Sequence, residues 1–381
     1  MLSRPEPRID AMSPKSAAFL LLPLIAACAS VPGPDAPESR ASIDPVRVEP
    51  PMQEVVVERW VTDDQEAGEL DSLATWLTPE GDLWVLATAK RSHQVQVHAG
   101  DDGGLIARIG GPGDAPGSFN RPNGIAVHGD LVFVTERDNH RVQVLELPGF
   151  EPLGSFGEEQ LQAPYGIWVH EIAPGQLEVI ITDSFMLGER FDIVPPLETL
   201  HRRLHRFHVS GAHENLEVEY RGSFGETTDA GAIRATESVW GDPLHGRLLV
   251  ADEHAPDGLR LRVYGLDGGY ANRDLGLGTY RGDPEGIALW ACPDGSGYWL
   301  STDQQVDHSR FLVYDRESLA LHSAFTGRTT ANTDGIALYA AGTREFPDGV
   351  LFAVHDDRGI AAFDWADIAD ALDLPRQCAI D

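Results

Sequence analysis

A short motif that recurs along the chain constrains the fold more than any other feature of the sequence. Glycine followed by isoleucine, at the start of an apolar strand, occurs at Gly124-Ile125, Gly166-Ile167, Gly286-Ile287 and Gly335-Ile336. The first two copies, and the last two, are separated by roughly 40–50 residues, the length of one four-stranded propeller blade. The sequence therefore predicts an all-β fold, a single β-propeller of six four-stranded blades.

The abundance of turn-forming residues supports this prediction. The 381 residues include 39 glycines and 26 prolines, which favour short strands over helices. The length alone would suggest two domains, but propellers are long single domains. One short C-terminal helix is predicted over Trp365–Leu372, with Asp364 as its N-cap.

The charge of the chain limits its partners. The formal net charge of −31 excludes nucleic acid, whose binding needs a basic face. A polyanionic substrate is compatible with such a protein only where metal ions invert the local charge. An acidic surface that simply keeps an exported protein soluble explains most of these charges equally well.

The N-terminus has the pattern of a processed signal. Lys15 precedes an apolar run over residues 17–27 that is too short for a stable membrane span and ends at Cys28. Leu24–Cys28 resembles the lipobox of bacterial lipoproteins. The resemblance implies a signal peptide over residues 1–28, lipidation of Cys28 and anchoring in the outer membrane of a Gram-negative bacterium. A plain signal peptide of a secreted or periplasmic protein is the alternative, and translation starts at Met1 or Met12.

The rest of the chain divides into a linker and one domain. Residues 29–53 are rich in proline, alanine, serine and charge, and are predicted to be a flexible tether. Residues 54–381 form the predicted propeller, which we expect to be monomeric and to touch a membrane only through the lipid anchor. Cys292 and Cys378 either pair or remain two separate thiols.

Two acidic turns near the C-terminus carry the strongest functional signal. Asp283-Pro-Glu285-Gly and Thr-Asp334-Gly each lead into an apolar strand, which places carboxylates at corresponding ends of successive β-units. Carboxylate and amide oxygens are the ligands of Ca²⁺. These turns predict a calcium site on one rim of the propeller.

The order and flanks of these turns resemble the β-propeller phytases, calcium-dependent enzymes of the 3-phytase type that remove phosphate from inositol phosphates. The resemblance covers most of Leu70–Leu374 and is strongest from Glu237 onward. It implies several Ca²⁺ ions, a small phosphoester substrate such as phytate (myo-inositol hexakisphosphate), and attack by a metal-bound water. The implied metal ligands are Asp71, Glu237, Asp283, Glu285, Gln304, Asp334 and Asp356. The implied catalytic residues are Lys90, Arg137, Tyr165 and Glu253.

Two further functions stay open. Gly113–Glu146 resembles an NHL repeat, and several phytase positions are replaced, among them those at Ser184 and Arg328. The stretch Phe185–Thr199 has no counterpart in that family. A non-catalytic NHL-like propeller of the cell envelope, binding a protein or glycan, is therefore the first alternative. A calcium-dependent lactonase-like hydrolase is the second, and it needs a Glu, an Asn and an Asp around one ion.

Overall fold

Alternating apolar residues and closely spaced turns organise the chain into antiparallel sheets. The computed structural model describes residues 53–378, except 65, 67 and 212–214. These residues all belong to one compact unit that spans residues 47–381. The predicted signal peptide with Cys28, and the tether up to residue 52, lie outside the described residues.

The first three blades follow one another along the chain, and each is a four-stranded meander. Blade 1 contains β3 (Leu70–Leu77), β4 (Leu83–Ala89), β5 (Gln94–Ala99) and β6 (Leu105–Gly110). Blade 2 contains β7 (Pro122–His128), β8 (Leu131–Glu136), β9 (Arg141–Glu146) and β10 (Glu151–Phe156). Blade 3 contains β11 (Pro164–Ala173), β12 (Gln176–Asp183), β13 (Leu204–Ser210) and β14 (Glu217–Phe224), with a 3₁₀ turn at Leu197–Arg202.

The last three blades have the same order of strands. Blade 4 contains β15 (Thr236–Asp242), β16 (Arg247–Asp252), β17 (Arg260–Gly265) and β18 (Tyr270–Leu275), with a 3₁₀ turn at Ala255–Asp257. Blade 5 contains β19 (Asp283–Ala291), β20 (Gly297–Gln304), β21 (Arg310–Asp315) and β22 (Leu321–Thr326). Blade 6 contains β23 (Ile336–Tyr339), β24 (Val350–His355) and β25 (Gly359–Asp364). The prediction of six four-stranded blades is confirmed.

The beginning of the described chain closes the ring. β2 (Trp60–Val61) pairs with β25 and supplies the fourth strand of blade 6, while β1 (Gln53–Val55) pairs in parallel with β22. The inner strands β3, β7, β11, β15, β19 and β23 each contact the next one around the ring, including β23 with β3. Because the segment before blade 1 supplies β1 and β2, the edges of β22 in blade 5 and of β25 in blade 6 are paired.

The C-terminal segment packs on blade 5. Helix α1 (Trp365–Leu372) has the predicted bounds, and the Asp364 carboxylate accepts from the Ala366 amide at 3.0 Å. The Trp365 ring stacks on Trp290 with 5.1 Å between the centroids. A disulfide joins Cys292 to Cys378, which answers the question that the sequence left open. Among the described residues, no helix has both the length and the apolar character needed to cross a membrane.

A buried carboxylate at the end of the second strand fixes the loop that leads into the inner strand. In blade 5, Asp303 accepts from the backbone amides of Arg281 at 3.0 Å and Gly282 at 2.7 Å. Asp183 and Asp252 bind two consecutive amides in the same way in blades 3 and 4. These bonds hold the starts of the inner strands of blades 3, 4 and 5, where polar residues of the channel lie.

We expect Asp303→Ala to lower the free energy of unfolding by about 3–5 kcal/mol, because it leaves a buried arginine without its partner. The Arg310 guanidinium is 1% exposed and its Nε donates to Asp303 at 2.6 Å. Chemical denaturation of the purified protein measures the loss. The control is Asp307→Ala in the turn that follows β20, where the exposed side chain should change stability by less than about 0.5 kcal/mol. Equal stability of both variants would show that this network does not hold the loop.

Candidate functional site

The recurring glycine of the sequence motif lies where neighbouring inner strands approach most closely. A Cβ on Gly124 would lie 2.3 Å from the Tyr165 carbonyl oxygen, and one on Gly166 would lie 2.6 Å from that of Glu237. Six small residues at equivalent positions narrow the central channel here: Ser72, Gly124, Gly166, Ser238, Gly286 and Gly335. The cavity that they line has a volume of only about 40 Å³. This part of the channel is therefore too small for anything larger than a few water molecules.

The residue before each small residue is polar in all six blades. We call these six positions the inner ring: Asp71, Asn123, Tyr165, Glu237, Glu285 and Asp334. Four of them are acidic, and Asp71 and Asn123 are 1% and 0% exposed. Polar groups in such a place need hydrogen-bond partners or a bound ion.

A second set of six lies at or directly after the last residue of the second strand of each blade. We call it the outer ring: Lys90, Arg137, Ser184, Glu253, Gln304 and Asp356. The Lys90 amide donates to the Glu69 carbonyl at 2.8 Å, and the Glu253 amide donates to the Ala235 carbonyl at 2.8 Å. In both blades this acceptor lies two residues before the inner-ring residue. The backbone thus brings the two rings to the same end of the channel.

Threonines from the preceding blade fix three inner-ring residues. The buried Thr182 hydroxyl accepts from the Gly166 amide at 2.7 Å and donates to the Glu237 carbonyl at 2.6 Å. The same link joins Thr88 to Asn123 and Thr135 to Tyr165, both at 2.5 Å. These inner-ring residues are held by a hydroxyl group that the sequence motifs do not reveal.

Three glutamates form the tightest acidic group. One carboxylate oxygen from each of Glu237, Glu253 and Glu285 lies within 4.8 Å of the others. Burial, followed by the charge of neighbouring carboxylates, raises the pKa of Glu237 and of Glu285 well above the usual value. Burial raises the pKa of Glu253 to about 8. Bringing three ionised carboxylates this close together is costly without a cation between them.

Lys90 lies between the carboxylates on the other side of the ring. Its Nζ is 3.1 Å from Asp71 Oδ1, 3.6 Å from Asp334 Oδ2 and 3.7 Å from Glu69 Oε1. Burial alone would lower the pKa of Lys90, but the charges of Asp71 and Asp334 raise it, so the ammonium group stays protonated. Burial and the charge of Asp71 raise the pKa of Asp334 to about 8. One lysine therefore offsets only part of this negative charge.

Tyr165 and Gln304 each donate to one of the two aspartates that flank Lys90. The Tyr165 hydroxyl donates to Asp71 Oδ1 at 3.3 Å, and Gln304 Nε2 donates to Asp334 Oδ1. Burial, then the nearby carboxylates, raises the pKa of Tyr165 well above its usual value. The phenol therefore remains a hydrogen-bond donor at neutral pH.

Several buried polar atoms of the site lack a hydrogen-bond partner among the described residues. They are Asp71 Oδ2, Glu237 Oε2, Glu253 Oε1 and both side-chain polar atoms of Asn123. Four of these five atoms are oxygens, the donor type that Ca²⁺ takes in coordination shells of six to eight. The chemistry of this donor set fits calcium.

Three predicted site residues lie at the periphery instead. Asp356 pairs with Arg358 and its side chain is 44% exposed. Asp283 is exposed at the first position of β19, opposite Gln304. Arg137 Nε donates to Asp138 at 2.7 Å and its side chain is 39% exposed. The other predicted residues are brought together: Asp71, Lys90, Tyr165, Glu237, Glu253, Glu285, Gln304 and Asp334.

Three further residues belong to the site but were not predicted. Asn123 is the inner-ring residue of blade 2, and its place before Gly124 in the recurring motif was the available signal. Glu69 contacts Lys90, and its backbone has a φ of 69°. Asp357, next to Asp356, accepts from Asn332 Nδ2 at 3.1 Å, and burial raises its pKa. Which of two adjacent aspartates faces inward depends on the turn, and the sequence did not resolve it.

A cleft of about 440 Å³ opens beside the carboxylates. Two residues of the inner ring, Tyr165 and Glu237, line this cleft, and so does Arg137. Its volume is in the range of small-molecule sites. A ligand held in this cleft would lie next to the acidic cluster.

Comparison with known proteins supports the NHL prediction. The family model "NHL repeat" matches residues 119–145, which lie within the predicted segment Gly113–Glu146 and contain β7, β8 and most of β9. A search of curated protein sequences gave no match. Nothing in these comparisons supports the resemblance to the β-propeller phytases.

The fold is similar to that of several solved structures. Hydrazine synthase of Kuenenia stuttgartiensis shares 9% identity over 79% of this chain and 97% of that chain, with a TM-score of 0.45. A catalytically inactive virginiamycin B lyase from Staphylococcus aureus shares 12% identity over 80% and 87%, with a TM-score of 0.44. A luciferin-regenerating enzyme shares 10% identity over 80% and 94%, with a TM-score of 0.47. Identities this low say nothing about what this chain binds or catalyses.

Proposed function

We propose that the protein is a calcium-dependent phosphoric monoester hydrolase acting on phytate or a related phosphoester. One observation carries this proposal. The buried carboxylates of the inner ring include unpartnered oxygens, and two of these carboxylates contact a protonated lysine, Lys90. The four carboxylates of the inner ring by themselves repel phosphate. A site that combines oxygen ligands for cations with a fixed ammonium group is suited to an anionic substrate once cations are bound.

The residues that would hold calcium are those whose carboxylates have an unpartnered oxygen or lie close to other carboxylates. Glu237, Glu253 and Glu285 would hold one ion, and Asp71, whose Oδ2 is unpartnered, would contribute to a further one together with Asp334, a ligand that the sequence resemblance implies. Bound Ca²⁺ supplies positive charge that polarises phosphate oxygens and makes water more acidic. The negative charges of these carboxylates, which repel one another without the ion, would then be neutralised by it.

Other side chains of the chain would orient the phosphate group. Lys90 is a buried point charge, and its ion pairs fix the position of its Nζ. The Tyr165 hydroxyl remains a donor and borders both the ring and the cleft. Arg137 lines the cleft and offers a planar donor group suited to phosphate oxygens. Hydrolysis consumes one water and converts the phosphomonoester to an alcohol and inorganic phosphate.

Asn123 favours a second candidate function, the hydrolysis of a lactone. The lactonase-like alternative needs a Glu, an Asn and an Asp at one ion, and the inner ring carries all three residue types, with Asn123 fully buried and unpartnered. The NHL repeat at residues 119–145 is compatible with a third function, binding without catalysis.

Release of inorganic phosphate tests the proposal. The purified protein is incubated with phytate and with a simple alkyl phosphate, in calcium and in chelator. Ring opening of a γ-lactone is measured under the same conditions. Calcium-dependent phosphate release supports the phosphatase, and lactone opening without phosphate release supports the second candidate. A folded, calcium-loaded protein that turns over none of these substrates would refute the enzymatic proposal and leave the binding function.

A further inference from the structure

The connection between β12 and β13 forms an apolar wall of the cleft. Phe185, Met186 and Phe191 line the cleft, and so do Tyr165 and Glu237 of the inner ring. We call residues 184–196 the blade-3 loop. Most of this loop belongs to the stretch Phe185–Thr199, which has no counterpart in the phytase-like pattern of the sequence.

The base of the blade-3 loop is held in place by a buried arginine. Arg203 is 0% exposed, its Nη1 donates to the Phe185 carbonyl at 2.7 Å, and its guanidinium lies 4.6 Å from the centre of the Phe185 ring. The same Nη1 donates to the Asp183 carbonyl at 2.9 Å. The apolar wall is therefore preorganised, which lowers the entropy cost of binding a ligand against it.

The tip of the loop presents an aromatic side chain to the cleft. The amides of Leu187 and Ile193 each donate to the carbonyl of the other, at 2.8 and 3.1 Å, and this bridge closes the loop. Phe191 lies within the closed segment and is 75% exposed. Its φ of 53° is unusual for a bulky residue. The aromatic ring of Phe191 therefore exposes apolar surface that a ligand in the cleft could cover.

The cleft offers few positive charges to a substrate. Arg137 is its one arginine or lysine among the described residues, and it is already paired with Asp138 at 2.7 Å. A substrate with phosphate groups on every side would place several of them against this wall without a cation. Apolar surface next to a single phosphate site fits an ester with one charged end.

We propose that the blade-3 loop makes the enzyme select phosphomonoesters whose alcohol part is apolar or aromatic, with the alcohol packed against Phe191 and Met186 and the phosphate facing the acidic ring. The cleft volume of about 440 Å³ accommodates such an alcohol. This inference rests on the proposed phosphatase function. It narrows the substrate class of that function from phytate or a related phosphoester to phosphomonoesters of an apolar or aromatic alcohol.

The test compares 3-phenylpropyl phosphate with propyl phosphate, two substrates whose leaving alcohols are nearly equal in basicity. We expect kcat/KM to favour the phenyl substrate by about tenfold or more. Phe191→Ala should lower this ratio at least threefold, about what removal of part of an apolar contact costs. The matched control is Leu187→Ala in the same loop, which is 46% exposed and does not line the cleft, and which should keep the wild-type ratio.

Binding of the corresponding non-hydrolysable phosphonates, measured by calorimetry with the calcium-loaded protein, separates this inference from the proposed function. Tighter binding of 3-phenylpropyl phosphonate than of propyl phosphonate, lost in Phe191→Ala, supports the inference even if turnover is absent. Active enzyme with equal rates on both phosphates, or equal binding of both phosphonates, overturns it and leaves the phosphatase function standing. A further outcome also overturns the inference. If Phe191→Ala keeps the wild-type ratio of kcat/KM for the two phosphates but abolishes binding to phosphatidylethanolamine–phosphatidylglycerol vesicles, the Phe191 side chain contacts a lipid surface instead.

Discussion

Calcium should raise the midpoint of thermal unfolding by about 6 °C, because ligand at about a thousandfold excess over its dissociation constant contributes about 4 kcal/mol of stability. The source of the effect is the acidic ring, where Glu237, Glu253 and Glu285 bring carboxylate oxygens within 4.8 Å of one another. Scanning calorimetry of the protein in calcium and in chelator measures the shift. Protons compete with calcium for these groups, so the shift should shrink from about pH 8 to about pH 6.

A single variant separates calcium binding from general salt effects. Glu285→Gln removes one ligand and one buried negative charge, so we expect the calcium-dependent shift to fall below half of the wild-type value. In chelator the variant should be at least as stable as the wild type, since the repulsion within the ring is weaker. Glu80→Gln, at an exposed position, is the control and should behave as the wild type. Magnesium should give a smaller shift because it demands octahedral geometry at short distances. Equal midpoints in calcium and chelator would exclude a calcium site that matters for the folded state.

The sequence predicted the fold because the propeller repeats its local chemistry. The glycine of each Gly-Ile motif is needed where a Cβ would strike the next inner strand, as at Gly124 and Gly166. That steric requirement is imposed at the same place in several blades, so it is visible as a repeat. The strand that closes the ring is different, because β2 pairs with β25 across about 300 residues and has no repeated signature.

The candidate site was predictable where a residue directly precedes a small residue or follows a strand. Asp71, Glu285 and Asp334 are at the first kind of position, and Lys90 and Glu253 are at the second. Their side chains converge because blade symmetry repeats the position around one axis. Interactions between blades carry no such local signature, and the threonine links from Thr88, Thr135 and Thr182 were therefore not foreseen.

Turn geometry explains where the prediction of ligands and the structure differ. Asp356 and Asp357 both have positive φ, at 50° and 57°, in the turn after β24. In this turn the carboxylate of Asp356 meets Arg358, and that of Asp357 meets Asn332 beside the inner ring. A one-residue difference in a tight turn changes which side chain faces the channel, and strand patterning does not specify it.

This difference makes two aspartates a matched pair for the proposed phosphatase activity. Asp334→Asn should lower kcat/KM for phosphate release by at least about a hundredfold, the scale expected when one charged group of a preorganised site is removed. Asp334 contacts both Lys90 Nζ at 3.6 Å and Gln304. The substitution removes the charge of one calcium ligand. It also leaves Lys90 with two carboxylate partners instead of three.

Asp356→Asn makes the same chemical change on a carboxylate that is 44% exposed and paired with Arg358, so it should leave kcat/KM within about threefold of wild type, the scale of a weak surface ion pair. Steady-state phosphate release, with calorimetric calcium titration of each variant, measures both effects. The backbone of Asp334 still accepts from the Gly286 amide at 2.8 Å in the variant, which preserves the contact between blades 5 and 6. If Asp356→Asn were the damaging change and Asp334→Asn the mild one, the turn after β24 would have to carry the functional carboxylate, and the inner ring would lose its place as the catalytic centre.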